Sequence, residues 1–583
     1  MLQLVIAISL MLCLALLPAE AEAKTALTYK LTGLDGELEK NAEAWLGDAP
    51  DSAQDRSNFL VSYQERLEDA LKALGYYNPQ ISAELKRTDP VWSLDITVKP
   101  GPPVLIETIS IQLKGDANND KAFQNLLNPA PFKQGEVFNH GDYERFKNEL
   151  LALGQERGYF KAQFSRSQVE VNIETNTAAI YLHYESGDRY RFGELQYGDF
   201  NVEPKLIAEI QTIHEGEYFD QSKLQLFQSA LRRTGYFSGV VITPLLDKAV
   251  DERVPLSITL YPARRHSFDV GVGYSTDTEE RVSLTWRTPR VNRYGHRQRT
   301  RLSYSTINPS GEIIYSIPLT SPLNDVLNLN TRLETDEYGD IDSRQWEVGA
   351  VREIRTDSLV YSYSLRELNE EWTLEDTDFK NRYLLPGFSI AHTWRRGSPV
   401  DPSGGFSQLY KIEGAADNVG SDINLLRLSA NFRYVVTPFT DHRIVARTDL
   451  GAVLIEDGDR PKLAPSLAFF TGGSQSIRAF AYQSIGDEIR VSDADGTKEL
   501  VVGGDRLAVA SLEYQYYFTP TWRGAVFIDG GDAFDSGNFD LKWGPGFGVH
   551  YISPVGAIRV EMANSASEKD SSWRIVLNIG AEF

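Results

Sequence analysis

Apolar and mixed positions alternate along the end of the chain, from Trp573 to Phe583. Every second residue is apolar, and a period of two predicts a β-strand with two different faces. Because lipid contacts one face of a membrane barrel and the lumen contacts the other, one wholly apolar face is typical of such a barrel. A final strand also has an edge that must pair, and its simplest partner is the first strand of the same sheet. An edge strand of a soluble sheet is the alternative at this point.

The same alternation continues through residues 266–583, which contain no convincing helical pattern. Short alternating segments follow one another between turn signals rich in glycine, proline and asparagine. The predicted strands are centred near Val272, Leu284, Leu302, Tyr315, Leu329, Val348, Tyr363, Ile390, Ile412, Leu428, Ala446, Ala510, Val526, Gly548, Val560 and Leu577. That count is even, as bacterial membrane barrels prefer. The sequence therefore predicts an all-β region, a 16-stranded antiparallel transmembrane β-barrel.

The two strands that would close this barrel both contain glycine. Gly271 and Gly273 interrupt the first strand, and Gly580 interrupts the last. Glycine weakens a strand as a ladder partner, so the seam between the first and last strands is predicted to have the fewest backbone hydrogen bonds. Gly271 is expected to lie opposite Asn578 across this seam, or one register away. The predicted seam residues are Phe268, Gly271, Gly273, Asn578, Gly580 and Phe583.

A repeat precedes the barrel, in residues 24–265. Its landmark is a glycine followed by two aromatic residues, which recurs at intervals of about 80 residues as Gly75-Tyr76-Tyr77, Gly158-Tyr159-Phe160 and Gly235-Tyr236-Phe237. Apolar residues at helical spacing come before each landmark, and the glycine is predicted to end the helix as a left-handed cap. One strand opens each unit and two strands follow the landmark, so the units are predicted to be α+β. Three unrelated α+β domains are the alternative.

One connection in the barrel is far longer than an ordinary loop. About fifty residues, 456–505, join two predicted strands, and they include the glycine-rich stretch 472–480. A single arginine, Arg478, lies within this stretch between apolar neighbours. We predict that the loop folds into the lumen and that Arg478 pairs there with Asp529, because a carboxylate facing lipid would be costly. Arg478, Phe480 and Asp529 are the predicted lumenal anchor of the loop.

Three short motifs in this region resemble those of one family. Ile477-Arg478-Ala479-Phe480 is similar to a [VI]-R-G-[FY] motif, Phe527-Ile528-Asp529-Gly530-Gly531 matches F-x-D-x-G, and the stretch 544–548 followed by Ser553-Pro554-Val555-Gly556 matches a third motif. The chain resembles the superfamily of outer-membrane barrels that carry POTRA domains, which includes BamA, TamA and the two-partner secretion pores. It departs from the family at Ala479, where glycine is usual, and at Ala557, where proline is frequent.

The resemblance implies a domain organisation. The three repeats are similar to POTRA domains, which bind clients and partners by adding a strand to an exposed sheet edge. The implied boundaries are a signal peptide at 1–23, POTRA 1 at 24–100, POTRA 2 at 101–188, POTRA 3 at 189–265 and the barrel at 266–583. Within the family, three POTRA domains resemble TamA, the translocation and assembly module subunit, whereas BamA has five and the secretion pores have two.

The resemblance also implies a function and a location. The implied role is the assembly and insertion of unfolded outer-membrane protein clients, autotransporters among them, with lateral opening at the seam. The implied partners are outer-membrane lipid and a TamB-like protein anchored in the inner membrane. The implied location is the outer membrane of a Gram-negative bacterium, with the POTRA domains in the periplasm. A translocation pore of the two-partner-secretion type, or a passive channel, is the alternative.

Composition narrows these possibilities. The chain has 81 acidic and 59 basic residues and a formal charge of -22, which argues against nucleic acid as a partner. Residues 2–19 are almost wholly apolar and lead to Ala21-Glu22-Ala23, the small-x-small pattern of a signal peptidase site. A retained helical anchor is the alternative, since this segment lacks the usual lysine or arginine. The only cysteine, Cys13, lies inside it, so a processed protein would form no disulfide.

No pattern in the sequence indicates an enzyme. The eight histidines show no metal-ligand spacing. The sequence contains neither a Gly-x-Ser-x-Gly nucleophile elbow nor a Walker phosphate-binding loop. Gly544-x-Gly546-x-Gly548 lies in a predicted strand, where it is not expected to bind phosphate. We therefore expect no catalytic residue, no metal site and no cofactor.

Overall fold

The computed structural model describes residues 26–88, 91–374, 377–398, 401–493, 496–553 and 556–580. The predicted signal peptide, which contains Cys13, and the predicted seam residue Phe583 lie outside the described residues. Within the described ranges, no helix is both long and apolar enough to cross a membrane.

Three small sheets come first along the chain. Each has three strands, and the third strand of each set lies between the first and the second. The strands are β1 Leu27–Thr32, β2 Gln80–Lys86, β3 Trp92–Lys99, β4 Leu105–Lys114, β5 Gln163–Asn172, β6 Thr177–Glu185, β7 Arg191–Tyr197, β8 Phe237–Pro244 and β9 Arg253–Pro262. The helices are α1 Gly36–Leu46, α2 Ala53–Ala73, α3 Lys121–Leu126, α4 His140–Arg157, α5 Pro204–Ala208 and α6 Gln221–Arg233. The order strand, helices, strand, strand is the predicted one.

Glycine ends the helix before each landmark in a left-handed conformation. The φ angle is +89° at Gly75, +87° at Gly158 and +75° at Gly235. A Cβ would be strained in this region of backbone space, so glycine is the residue that lets the chain leave the helix. At the opposite end of α4, the side chain of Asn139 accepts two backbone N–H hydrogen bonds from the first turn and so caps the helix.

The helices of the first two sheets pack their apolar faces against the strands. Leu67 and Leu71 of α2 lie in one buried cluster with Ile96 of β3. In β6, every second residue from Ala178 to Tyr184 is buried, which is the alternation expected of a sheet with one covered face. Each of these two sheets therefore has a hydrophobic core of its own.

The rest of the chain forms a closed barrel of sixteen strands, each antiparallel to its neighbours. The barrel strands are β10 Ser267–Ser275, β11 Glu279–Thr288, β12 Arg297–Tyr304, β13 Ser310–Pro318, β14 Asp325–Tyr338, β15 Ile341–Arg355, β16 Leu359–Leu374, β17 Thr377–Gly397, β18 Pro402–Ala415, β19 Leu425–Phe439, β20 His442–Ile455, β23 Arg506–Tyr517, β24 Trp522–Phe534, β25 Lys542–Ser553, β26 Gly556–Asn564 and β27 Trp573–Gly580. All sixteen predicted centres fall inside these strands, and the predicted fold class is confirmed.

The long connection between β20 and β23 contains a separate hairpin. Its strands are β21 Glu488–Asp493 and β22 Gly496–Val501, which pair only with each other. The sequence prediction missed this hairpin, because each of its strands has only six residues and few of them are apolar.

Side chains along the barrel strands alternate between the outside and the lumen. In β24, Val526 and Ile528 are exposed, whereas Phe527 and Asp529 are buried. Residues two apart in a strand share a face, so Phe527 and Asp529 point the same way. Asp529 therefore faces the lumen, where a carboxylate can find polar partners.

One turn at the barrel rim, residues 289–296, is held by residues that precede the barrel in the chain. Tyr236 donates through its hydroxyl to the carbonyl of Gly295 at 2.9 Å. The N–H of Glu203 donates to the carbonyl of Arg293 at 2.8 Å. Only residues 263–266 separate β9 from β10, so the chain enters the barrel through a short and well-packed joint.

Gly295→Ala should loosen this joint. A Cβ at Gly295 would lie 2.4 Å from the hydroxyl oxygen of Tyr236 and 2.8 Å from Cδ1 of Leu206, and φ there is +75°. We expect faster amide hydrogen exchange around Tyr236 while the barrel remains folded. Gly537→Ala is the matched control, since φ at Gly537 is +98° but nothing lies within 4 Å of the added atom. Equal exchange in the two variants would contradict the prediction.

Candidate functional site

The connection that follows β20 lies along the inner wall of the barrel. Leu467 and Phe469 of this loop share a buried cluster with Leu368 of β16 and Tyr383 of β17. The hydroxyl of Tyr383 also donates to the carbonyl of Lys462 at 2.7 Å. The loop is thus fixed through its backbone as well as its apolar side chains, and its path is the predicted one into the lumen.

Further along the loop, Arg478 contacts Asp529 of β24 through three hydrogen bonds. Nε of Arg478 donates to Oδ2 at 2.8 Å, Nη2 donates to Oδ1 at 2.9 Å, and the backbone N–H donates to Oδ2 at 3.1 Å. The side chains are 2% and 0% exposed. Two parallel donations from a guanidinium to one carboxylate fix its orientation as well as its position. The structure therefore brings together the two charged residues that the sequence pairs.

Two more carboxylates and an aromatic ring surround the same guanidinium. Nη1 of Arg478 donates to Glu513 of β23 at 2.6 Å and to Glu561 of β26 at 2.9 Å. Its central carbon lies 3.2 Å from the ring centroid of Phe527, a distance at which a cation is attracted to the π face. Each nitrogen of the guanidinium thus donates to a carboxylate in a region with little exposed surface.

The cluster extends beyond Arg478 to neighbouring strands. Ser511 donates to Asp529 at 2.6 Å and accepts from Nη2 of Arg447 at 3.1 Å. A ring nitrogen of His550 lies 3.0 Å from Glu561. One loop residue is thereby connected to β20, β23, β24, β25 and β26. Removing it would leave buried carboxylates with less positive charge around them, a change that typically costs several kcal/mol.

The sequence prediction paired Arg478 with Asp529 alone and missed Glu513 and Glu561. A signal for both was present in the alternation. Their strand neighbours Leu512 and Val560 are exposed on the outside, so the glutamates occupy lumen-facing positions. The sequence does not give the distances between strands. It therefore could not predict which lumenal carboxylates contact the loop.

Glu513, His550 and Glu561 also bring one ligand atom each to within 4.8 Å of one another. Such a group is able to hold a metal ion. Here Arg478 donates to both glutamates, and its guanidinium supplies the positive charge at this position. We therefore assign these three residues to the loop anchor.

Ala479, the residue that departs from the family's glycine, fits the loop without strain. It is not among the described non-glycine residues with a positive φ angle, so its backbone does not require glycine. Its side chain is buried against Gly544 of β25, where an added Cβ would lie 2.4 Å from the Cβ of Ala479. Phe480 packs beside it against the cluster that contains Phe527. Arg478, Phe480 and Asp529 therefore belong to one contiguous site.

The first and last barrel strands meet through very little backbone pairing. Among the described residues, β10 and β27 are in register at one pair, Ser275 opposite Asn578. The N–H of Thr276 also donates to the carbonyl of Leu577 at 3.2 Å. Even a short ladder elsewhere, between β12 and β13, continues from Arg297 to Ser303. The seam therefore has the least backbone pairing of the sixteen strand interfaces in the part of the chain that is described.

Glycine is not the cause of this limited pairing. Four predicted seam residues lie in the complete ladders on the other side of the two strands: Phe268, Gly271, Gly273 and Gly580. Because Ser275 is the residue opposite Asn578, the predicted proximity of Gly271 to Asn578 is wrong. The register of β27 against β10 limits their pairing, and register depends on the whole barrel rather than on residues within either strand.

The fold and the site define a class of protein in which small α+β domains are followed along the chain by a closed barrel, with an arginine of one loop held in the lumen. A family model described as the Omp85 superfamily domain matches residues 264–583. A model described as POTRA domain TamA domain 1 matches residues 28–100, and a POTRA model described as surface antigen variable number repeat matches residues 108–187. The chain belongs to the Omp85 superfamily and carries POTRA domains.

Its relatives are distant. The outer membrane protein assembly factor BamA of Nitratidesulfovibrio vulgaris is 26% identical over 429 residues, which cover 69% of this chain and 52% of that protein. The protein of the same name from Buchnera aphidicola subsp. Acyrthosiphon pisum is 21% identical over 167 residues, which cover 28% of this chain and 26% of that protein. The chain thus spans about half the length of the first relative and about a quarter of the second.

A solved structure shares the fold. BamA from Haemophilus ducreyi lacking POTRA domains 1-3 superposes with a TM-score of 0.67 at 17% identity. The match covers 82% of this chain and 99% of that chain.

Arg478→Ala should release the loop from the lumen wall while the barrel stays folded, because the strand ladders are unchanged. Breaking a buried ion pair from one side costs about 3–5 kcal/mol, and we expect loss of that order in the free energy of loop docking. Limited proteolysis within residues 472–480 measures it. Arg490→Ala is the control, since Arg490 lies in the same connection and its ion pair with Glu499 is exposed. A loop as resistant as in the unmodified protein would contradict the assignment.

Gly544→Ala should displace the same loop by steric means. The added Cβ would lie 2.4 Å from the Cβ of Ala479 and 2.4 Å from the carbonyl oxygen of Asn564. We expect the proteolysis pattern of Arg478→Ala without any change of charge. Gly458→Ala, which adds a methyl group to the same connection with nothing within 4 Å, should leave the loop protected. Equal protection in both glycine variants would show that this close approach is unimportant.

Proposed function

We propose that this protein assembles outer-membrane proteins, inserting unfolded clients into the membrane by lateral opening between β10 and β27. The observation that carries the proposal is the seam, where Ser275 opposite Asn578 is the one registered pair among the described residues. Insertion of a client strand requires a strand edge, and a fully paired barrel has none. An interface with so little backbone pairing can supply that edge with few hydrogen bonds broken.

The first strand offers a template for such a client. The stretch Ser267–Tyr274 pairs with β11 on one side and has no ladder to β27 among the described residues. An extended client segment can pair with an exposed strand through its backbone, whatever its side chains. Phe268, Val270 and Val272 are exposed, and they would lie beside the apolar face of the incoming strand.

The domain organisation favours the TamA branch of the superfamily. Three sheets of the same strand order precede the barrel, and the family model of the first TamA POTRA domain matches residues 28–100. From this we infer a TamB-like partner anchored in the inner membrane, and autotransporters among the clients. The distant relatives are named as assembly factors, which supports an assembly role without favouring this branch.

We assign the barrel to the outer membrane of a Gram-negative bacterium and the three POTRA domains to the periplasm. Each of the small sheets has an outer strand available for pairing, at β2, β5 and β8, where a client or partner strand could add. The proposed role needs no catalytic residue, no metal and no cofactor, and we propose none.

A translocation pore is the alternative to the assembly role, and it requires an open lumen. The loop that carries Leu467 and Phe469 packs on the inner wall of the barrel, which favours the assembly role. Conductance of the purified protein in a planar bilayer separates the two roles. A large and steady conductance would favour the pore.

Cysteines at Ser275 and Asn578 should lock the seam when oxidised. Paired positions of an antiparallel ladder have Cα atoms roughly 4.5–5.5 Å apart, within the range that a disulfide spans. We expect insertion of a barrel client into vesicles to stop in the oxidised variant and to recover on reduction.

The control places cysteines at Ile558 and Ile579, which face each other in the complete ladder of β26 and β27. Oxidation of this pair should leave insertion unchanged, because that interface need not open. Full insertion by a protein whose Ser275 and Asn578 positions are demonstrably cross-linked would exclude lateral opening.

A further inference from the structure

Arg574 connects the last barrel strand to two other parts of the protein. It lies in β27 between Trp573 and Ile575, which are exposed on the outside, so its own side chain points into the lumen. There Nη1 donates to the carbonyl of Phe480 at 2.8 Å and to the carbonyl of Arg478 at 3.2 Å. The last strand is thereby attached to the loop that carries the anchor.

The same guanidinium also reaches across the seam. Nη2 of Arg574 donates to Oδ1 of Asp277 at 2.8 Å. Asp277 lies in the turn between β10 and β11, and it is buried. Its other oxygen, Oδ2, accepts from the backbone N–H of Ser474 at 2.7 Å. One carboxylate and one guanidinium therefore join the first strand, the last strand and the loop.

We propose that Asp277 and Arg574 form a clasp that holds the seam closed and makes its opening depend on release of the loop. The inference deepens the proposed function and rests on it, since the seam matters only if it opens. At other strand interfaces a ladder supplies the cohesion and an ion pair adds to it. At the seam, where Ser275 opposite Asn578 is the one registered pair described, charge-assisted side-chain bonds take the place of the ladder.

The same hydrogen bonds couple the opening of the seam to the position of the loop. Arg574 cannot leave Asp277 with β27 unless it gives up the carbonyls of Arg478 and Phe480, or carries the loop with it. The loop, in turn, cannot withdraw without breaking the bond from Ser474 to Asp277. Separation of the two strands therefore requires the loop to break its bonds to one of them.

A distance measurement across the seam tests the clasp without any client. Spin labels at Tyr274 and Ile579, both exposed on the outside, report whether β10 and β27 are together in the full-length protein in lipid vesicles. We expect Asp277→Asn and Arg574→Gln each to raise the population of separated strands roughly tenfold, about the effect of losing one hydrogen bond to a charged group. The double variant should add little to either single change, because both remove the same contact.

Glu312→Gln is the matched control. Glu312 pairs with Arg299 across β12 and β13 at 3.2 Å, where a ladder is present, so its loss should leave the seam distances unchanged. Unchanged distances in both clasp variants, or fully additive effects in the double variant, would overturn the proposal.

Arg574→Lys separates the two roles of Arg574, its bond to Asp277 and its bonds to the loop carbonyls. A lysine keeps a charge for Asp277 but has no planar fork to serve the two loop carbonyls as well. We expect the seam to stay closed while amide exchange within residues 473–480 rises severalfold, and a seam that opened as widely as in Arg574→Gln would overturn the division of roles. A seam that opens in the clasp variants of a protein that inserts no client, with or without these substitutions, would refute the proposed function and leave the clasp standing.

Discussion

A buried arginine among three carboxylates is the interaction on which the second half of the barrel depends. Asp529, Glu513 and Glu561 face a lumen region from which water is largely excluded, and such groups are tolerated only when a cation is held against them. Arg478 supplies that cation from a loop rather than from a strand. The loop can therefore dock only where these carboxylates lie, and the carboxylates can stay charged on the inner wall only while the loop is docked.

The barrel uses two kinds of cohesion, and their distribution is uneven. Most strand interfaces are held by long backbone ladders, which are indifferent to side-chain identity and difficult to open. The seam is held by one registered pair among the described residues and by polar side chains. Side-chain bonds are directional and few, so the seam depends on fewer contacts than the laddered interfaces do. A barrel built in this way is stable as a whole and weakest at the interface between β10 and β27.

The sequence was most informative where structure is local. Period-two alternation located every barrel strand, and the landmark glycines located the helix ends, because both depend on neighbouring residues alone. The pairing of Arg478 with Asp529 was also accessible, from the cost of a lipid-facing carboxylate and the resemblance of the motifs. Glu513, Glu561 and the position of Ser275 opposite Asn578 were not, since they depend on the stagger of strands around the closed barrel.

The order of the anchor residues along the chain has a consequence for biogenesis. Arg478 precedes all three carboxylates, which lie on β23, β24 and β26. A chain emerges from its N-terminus, so Arg478 has none of these partners until β23, β24 and β26 have been made and paired. An incomplete barrel would leave the arginine without its partners and the loop open to proteases. Protection of residues 472–480 from proteolysis therefore indicates that the barrel has been completed.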